Sequence, residues 1–219
     1  MSDSLSGRIV IVTGAGGRLG SIVVQRLAAA GARVAALDRT APEALPDGAR
    51  GWAANVTDER AVQDAFDAVG REMGPVWGLV HTVGMWDGAP LAETTLEAWE
   101  RVMRLNLTSA FLCVREAARR MDGGRIVAIA SRQGADAAPA QQAAYAASKA
   151  GVIRLVEATA AEHPQIAAVA VAPSMILFGG EDSDASGVSA EAIAELCTRL
   201  CGDAGPVHSG SVLRAYGNG

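Results

Sequence analysis

The chain has 219 residues, with 19 basic against 24 acidic side chains and a formal net charge of −5. That balance excludes the cationic stripe a nucleic-acid partner needs. The 50% hydrophobic and 20% charged content is that of an ordered globular chain, and a single domain over residues 1–219 is expected, burying roughly 70% of the surface its unfolded chain exposes. No apolar run approaches the roughly 20 residues of a bilayer span, and the opening Met1-Ser2-Asp3-Ser4 lacks the basic-then-apolar order of a secretory signal. A cytoplasmic protein with neither a nucleic-acid nor a membrane partner is expected.

Strands are predicted at 8–13, 33–38, 51–55, 76–83, 125–130, 166–172 and 210–215, where short β-branched runs occur. Between them, stretches of helical period predict helices at 19–30, 58–72, 96–121, 142–162 and 190–200. Asp58 and Thr95 stand as N-caps, and Gly31, Gly74-Pro75 and His163-Pro164 as stops. The alternation predicts a doubly wound, Rossmann-type α/β domain: a seven-stranded parallel sheet with helices on both faces. Residues 179–189 (GGEDSDASGVS) have little to bury and are expected to be mobile. Falling after the sixth strand, a segment at about 174–189 is expected to act as a short substrate lid over an open crevice.

Three cysteines and histidines at 81, 163 and 208 complete no metal-ligand set, so free buried thiols and no metal are expected. Of the 19 basic residues only Lys149 is a lysine, which asks for a chemical reason.

The first strand runs into a helix through Thr13-Gly14-Ala15-Gly16-Gly17-Arg18-Leu19-Gly20. Such a turn lets backbone amides approach a pyrophosphate, and Asp38, 18 residues beyond Gly20, can accept the ribose hydroxyls of an adenine dinucleotide. Tyr145 and Lys149 are four apart on one helical face. A cation held beside a phenol lowers its pKa and lets it exchange a proton with an alcohol. Ser131 follows the fifth strand nearby.

In these motifs, and in Asn55-Val56, Leu105-Asn106-Leu107, Tyr145-Ala-Ala-Ser-Lys149 and Pro173 in the same order, the chain resembles the short-chain dehydrogenase/reductase family over nearly its whole length. The resemblance implies a catalytic tetrad of Asn106, Ser131, Tyr145 and Lys149. Tyr145 would be the general acid/base and Ser131 would hold the reacting oxygen. Lys149 would bind the nicotinamide ribose and lower the pKa of Tyr145, and Asn106 would kink its helix and hold a proton-relaying water. Cofactor contacts are expected from Gly14, Gly17, Arg18, Leu19, Gly20, Asp38, Arg39, Asn55, Val56, Gly84, Tyr145, Lys149, Pro173 and Ile176.

The chain departs from the family's pattern at Arg18, in place of a glycine, at His81-Thr82-Val83-Gly84, in place of Asn-Asn-Ala-Gly, and at Ser174, in place of the glycine after Pro173. His81 is expected to be structural. The implied function is an NAD(P)-dependent oxidoreductase that interconverts a secondary alcohol and a ketone. The alternative is a catalytically silent dinucleotide-binding protein of the same fold with a regulatory or assembly role. Asp38 favours NAD, while Arg18 and Arg39 leave NADP open. Met85, Trp86 and residues 175–178 would make one side of the pocket apolar, and Arg132 would suit a carboxylate, so an uncharged ketone and an oxo-acid both remain. A homodimer or homotetramer through the alanine-rich helices is expected.

Overall fold

The computed structural model describes residues 5–179 and 186–217. Seven parallel strands, β1 (Ile9–Thr13), β2 (Arg33–Asp38), β3 (Ala49–Ala53), β4 (Val76–His81), β5 (Gly124–Ile129), β6 (Ile166–Pro173) and β9 (Val212–Ala215), pair in the order β3-β2-β1-β4-β5-β6-β9. Side chains alternate between the sheet's two faces. Ile11, Ala35 and Leu37 enter one core, beneath α2 (Glu59–Met73), α4 (Ser109–Arg120) and α6 (Ala143–Glu162). Val10, Val12, Val34 and Ala36 enter the other, beneath α1 (Arg18–Ala29) and α7 (Ala190–Cys201). Burial on both faces explains why the strands read as continuous apolar runs.

The chain leaves β1 for β2 and β3 on one side and returns to β4 on the other. This reversal opens a crevice beyond the carboxyl ends of β1 and β4. Asp58 and Thr95 cap as the sequence indicates, accepting the amides of Ala61 at 2.8 Å and Ala98 at 3.1 Å. Cys113, Cys197 and Cys201 are free and buried, as expected.

Three local features differ from the sequence reading. The helix expected over 96–121 is α3 (Leu96–Met103), a π-helical turn at Arg104–Thr108 and then α4. The strand expected to reach Val83 ends at His81, which releases Thr82 and Val83 to line the crevice. A short helix, α5 (Arg132–Ala135), follows β5. Near the expected lid, β7 (Ile176–Leu177) pairs parallel with β8 (Val188–Ser189), so both ends of that segment are hydrogen-bonded. The mobile stretch expected at 179–189 falls largely on residues 180–185, outside the described residues.

Candidate active site

The crevice is a cleft of about 940 Å³. At one end lies the glycine-rich turn. Gly14 has φ +72°, and a Cβ on Gly20 would sit 2.0 Å from the Gly14 carbonyl oxygen, so only glycine lets α1 start this close to β1. Gly17 precedes α1 without a side-chain cap, and no acidic residue occupies the first turn. The first amides of α1, at the positive end of its dipole, therefore remain available to an anion. Asp38 fixes the turn: Oδ2 accepts the Gly16 amide at 2.9 Å and Oδ1 the Arg39 amide at 2.7 Å. Arg18, at the position of the missing glycine, lays its guanidinium 3.9 Å from the centroid of the Phe178 ring. It thereby bridges the turn to the segment after β6.

The floor is built from buried polar groups. His81 is 1% exposed and touches Thr13 Oγ1 at 2.8 Å through Nδ1 and Ser109 Oγ at 3.3 Å through Nε2. Ser109 gives its own proton to the Leu105 carbonyl, so Nε2–H donates to Ser109 and Nδ1 accepts from Thr13. Burial first, and the Lys149 charge second, lower the His81 pKa to about 3. It is a neutral tie between β1, β4 and α4, in keeping with the structural role expected.

Asn106 sits in the π-helical turn, fully buried. Its Oδ1 accepts the Met85 amide at 2.7 Å, and its Nδ2 donates to the Met85 carbonyl and to Ser148 Oγ, both at 3.0 Å. The helix distortion expected at Asn106 is present, because a π-turn widens the ladder and turns this amide toward the loop. Its side chain, however, is absent from the cleft lining. It is spent on Met85 and Ser148, which makes Asn106 a positioning residue for the loop after β4.

Ser131, Tyr145 and Lys149 line the same wall of the cleft. Ser131 is 3% exposed and donates to Gln133 Oε1. The Tyr145 phenol lies above its ordinary pKa, raised by burial and pulled partly back by its hydrogen bond with Ser131. Lys149 donates to the Ile129 carbonyl at 2.9 Å, and burial lowers its pKa to about 8. The expectation that Lys149 depresses the Tyr145 pKa is therefore corrected. Desolvation dominates, so the phenol is a neutral proton donor, and the ammonium instead faces Ile129 and Gly84, where an added Cβ would stand 2.8 Å from Nζ.

The remaining expected cofactor residues, Leu19, Arg39, Asn55, Val56, Gly84, Pro173 and Ile176, all line the cleft. Arg132 does not. Its guanidinium lies 5.1 Å from the Tyr216 ring, whose hydroxyl donates to Asp136 beside Arg214, so the carboxylate partner read from its position is not supported. The sequence reading missed Gln133 and Gln142, both on the cleft wall. The available signal was spacing: two residues after Ser131, and one helical turn before Tyr145.

The arrangement offers anion-binding amides and a carboxylate at one end, and a proton donor beside a buried ammonium at the other, which fits a dinucleotide lying along the cleft. The short chain dehydrogenase family model matches residues 8–183. A D-threitol dehydrogenase of Mycolicibacterium smegmatis is 39% identical over 170 residues, covering 72% of this chain and 65% of that protein. The 3-oxoacyl-[acyl-carrier-protein] reductase MabA of Mycobacterium tuberculosis is 40% identical over 174 residues, covering 77% and 69%. The chain thus matches about two thirds of the length of these relatives. A crystal structure of a short chain dehydrogenase from Mycobacterium smegmatis superposes with a TM-score of 0.86 at 28% identity, covering 97% of this chain and 93% of that one.

The depressed Lys149 pKa sets a pH dependence. Unfolded, the lysine keeps its proton up to its ordinary value of 10.5, whereas folded it releases it near 8. Between these values the unfolded state holds more protons, so this residue's contribution to stability rises with pH, and below 8 its burial penalty is fully present. The unfolding free energy of wild type minus that of Lys149→Met, from urea titrations, should rise by about 2 kcal/mol from about pH 7.5 to about pH 9.5. A difference independent of pH would contradict the assignment.

Proposed function

Because the chain belongs to the short-chain dehydrogenase family, we propose that it is an NAD-dependent oxidoreductase interconverting a secondary alcohol and a ketone. The observation that carries this is the gathering of Ser131, Tyr145 and Lys149 on one wall of the cleft whose far end holds the uncapped start of α1 and Asp38. A binding-only protein needs no hydrogen-bonded serine and tyrosine at that wall. The relatives' names, one for threitol and one for a 3-oxoacyl-acyl-carrier-protein, differ too much to select a substrate.

In this reading the amides of Arg18 to Gly20 and the Arg18 guanidinium hold the pyrophosphate, and Asp38 accepts the adenosine ribose hydroxyls. The Asp38 carboxylate disfavours an added ribose phosphate, which selects NAD over NADP although Arg39 stands beside it. When bound, the nicotinamide carries the hydride. Lys149 binds the nicotinamide ribose across Gly84, while Pro173 and Ile176 form the opposite wall. Ser131, turning its hydroxyl away from Gln133, would donate to the reacting oxygen, and Tyr145, protonated by burial, would give its proton to that oxygen as a ketone is reduced. The phenolate left by that step is the form that takes the proton back as an alcohol is oxidised. Asn106 holds Met85 and the backbone of Gly84 in register with this wall.

The reading takes residues 1–219 as one dinucleotide-binding domain, with a substrate lid at 174–189 tethered by β7 and β8. Free buried thiols fit a reducing, cytoplasmic setting. It includes a homodimer or homotetramer through α4 and α6, on whose outer faces Phe111 is 42% exposed and Ala147 is exposed. Light scattering at micromolar concentration should give a multiple of the 22.4 kDa chain mass, and a monomer would refute that part.

Replacing Tyr145 with phenylalanine tests the chemistry. Turnover should fall by at least about 100-fold, while NADH affinity measured by fluorescence should stay within about threefold, because only the transferable proton is removed. A variant retaining more than about a tenth of wild-type turnover would refute the role of Tyr145.

A further inference from the structure

The charged side chains lining the cleft among the described residues are Arg18, Asp38, Arg39 and Lys149. The first three belong to the glycine turn and the end of β2, and Lys149 is buried against Ile129. Arg132, the remaining cation near Ser131, is turned onto Tyr216. Among the described residues the substrate end therefore holds no free charge, with Met85, Trp86 and Met175 lining it.

Two amides share that lining. Gln133 is engaged through Oε1 by the Ser131 hydroxyl. Gln142 lines the cleft, yet its Oε1 is buried with no hydrogen-bond partner among the described residues. A buried polar atom without a partner is costly, and turning this terminal amide toward the cleft would let a ligand group complete the pairing. Gln142 is the N-cap residue of α6 but caps nothing with its side chain. It follows Gln141, whose φ of +66° is unusual for a residue with a side chain, a conformation that functional sites tend to retain.

Resting on the alcohol–ketone reading, we propose that Gln142 is a specificity residue for a neutral substrate bearing a hydroxyl beside the reacting carbon: a vicinal diol, or its oxidised form, an α-hydroxyketone. Gln142 adjoins the start of α6, three residues before Tyr145, and both line the cleft. Its amide thus reaches a group one or two carbons from the carbon whose oxygen Tyr145 serves. An amide both donates and accepts, as does a hydroxyl, and its terminal torsion turns cheaply to match. In the oxidising direction the carbinol carbon loses a hydride to a nicotinamide dinucleotide and its oxygen loses a proton to the phenolate form of Tyr145, which that proton restores to the phenol. The neighbouring hydroxyl is unchanged, which is why it serves recognition alone. A carboxylate there would find no free cation among the described residues.

Steady-state reduction of acetoin, butanone and 2-oxobutanoate by the full chain with NADH tests this. In wild type kcat/KM for acetoin should exceed that for butanone by at least about tenfold, with 2-oxobutanoate poorest, since a site built for a hydroxyl rejects analogues lacking it. Gln142→Leu should remove the acetoin advantage and leave butanone within about twofold, with the melting temperature retained. Butanone matching acetoin in wild type, an acetoin advantage surviving in Gln142→Leu, or 2-oxobutanoate outrunning both would overturn the hydroxyl subsite while leaving the alcohol–ketone reading standing. No turnover of any of the three would overturn both. The wild-type comparison decides the matter even if the variant fails to fold.

Discussion

The carboxylate of Asp38 joins two segments that the chain separates by 22 residues, taking the amide of Gly16 on one oxygen and that of Arg39 on the other. Through it the glycine turn is registered against the end of β2, and the turn in turn sets where α1 begins. An uncapped helix start is a free anion site only if the turn before it is held open. Asp38 supplies that restraint and places a negative charge where the cleft begins. The rest of the site is built outward from this end, since β1 lies between β2 and β4 and carries the turn.

The opposite wall depends on polar groups that never reach the cleft. His81 ties β1, β4 and α4 as a neutral imidazole. Asn106 grips both backbone groups of Met85 and, through Ser148, reaches the backbone of α6 one turn from Lys149. Each is satisfied on every side the structure gives it, which is the condition under which buried polar networks make a site rigid. With the loop after β4 so fixed, Gly84 leaves room for Lys149, and Tyr145 and Ser131 face one another across a desolvated corner. Burial then dictates the chemistry. It raises the phenol's pKa and lowers the ammonium's to about 8, so the protonation of this corner is set by exclusion of water as much as by charge pairing.

Much of this was legible before the fold. The apolar runs of β1, β4, β5 and β6 marked strands buried on both faces, and the Thr13–Gly20 turn, Asp38, Ser131, Tyr145 and Lys149 lie along one cleft as their order implied. What periodicity cannot carry is the direction a side chain takes. The π-turn at Arg104–Thr108 is only five residues long, too short to leave a period of its own, so periodicity reads residues 96–121 as one helix and only the family resemblance placed a kink at Asn106. Arg132 adjoins Ser131 in sequence but folds outward onto Tyr216, a partner 84 positions later that no local pattern reveals. The sign of the Tyr145 shift also escaped, because spacing to a lysine indicates a charge pair while only the packed structure shows how little water remains. Gln133 and Gln142 went unnoticed since glutamine carries no motif of its own, and β7 with β8 are two residues each, too short for an alternating pattern.

The central claim is that this cleft is a dinucleotide site whose Asp38 end reads the ribose. Nicotinamide fluorescence titrations of NADH and NADPH against the wild-type chain test it most directly, with no substrate needed. The account predicts saturable binding of both, with NADH tighter by at least about tenfold because the Asp38 carboxylate opposes an added phosphate. A tighter constant for NADPH would contradict the reading of Asp38, and the absence of binding by either cofactor would contradict the site itself.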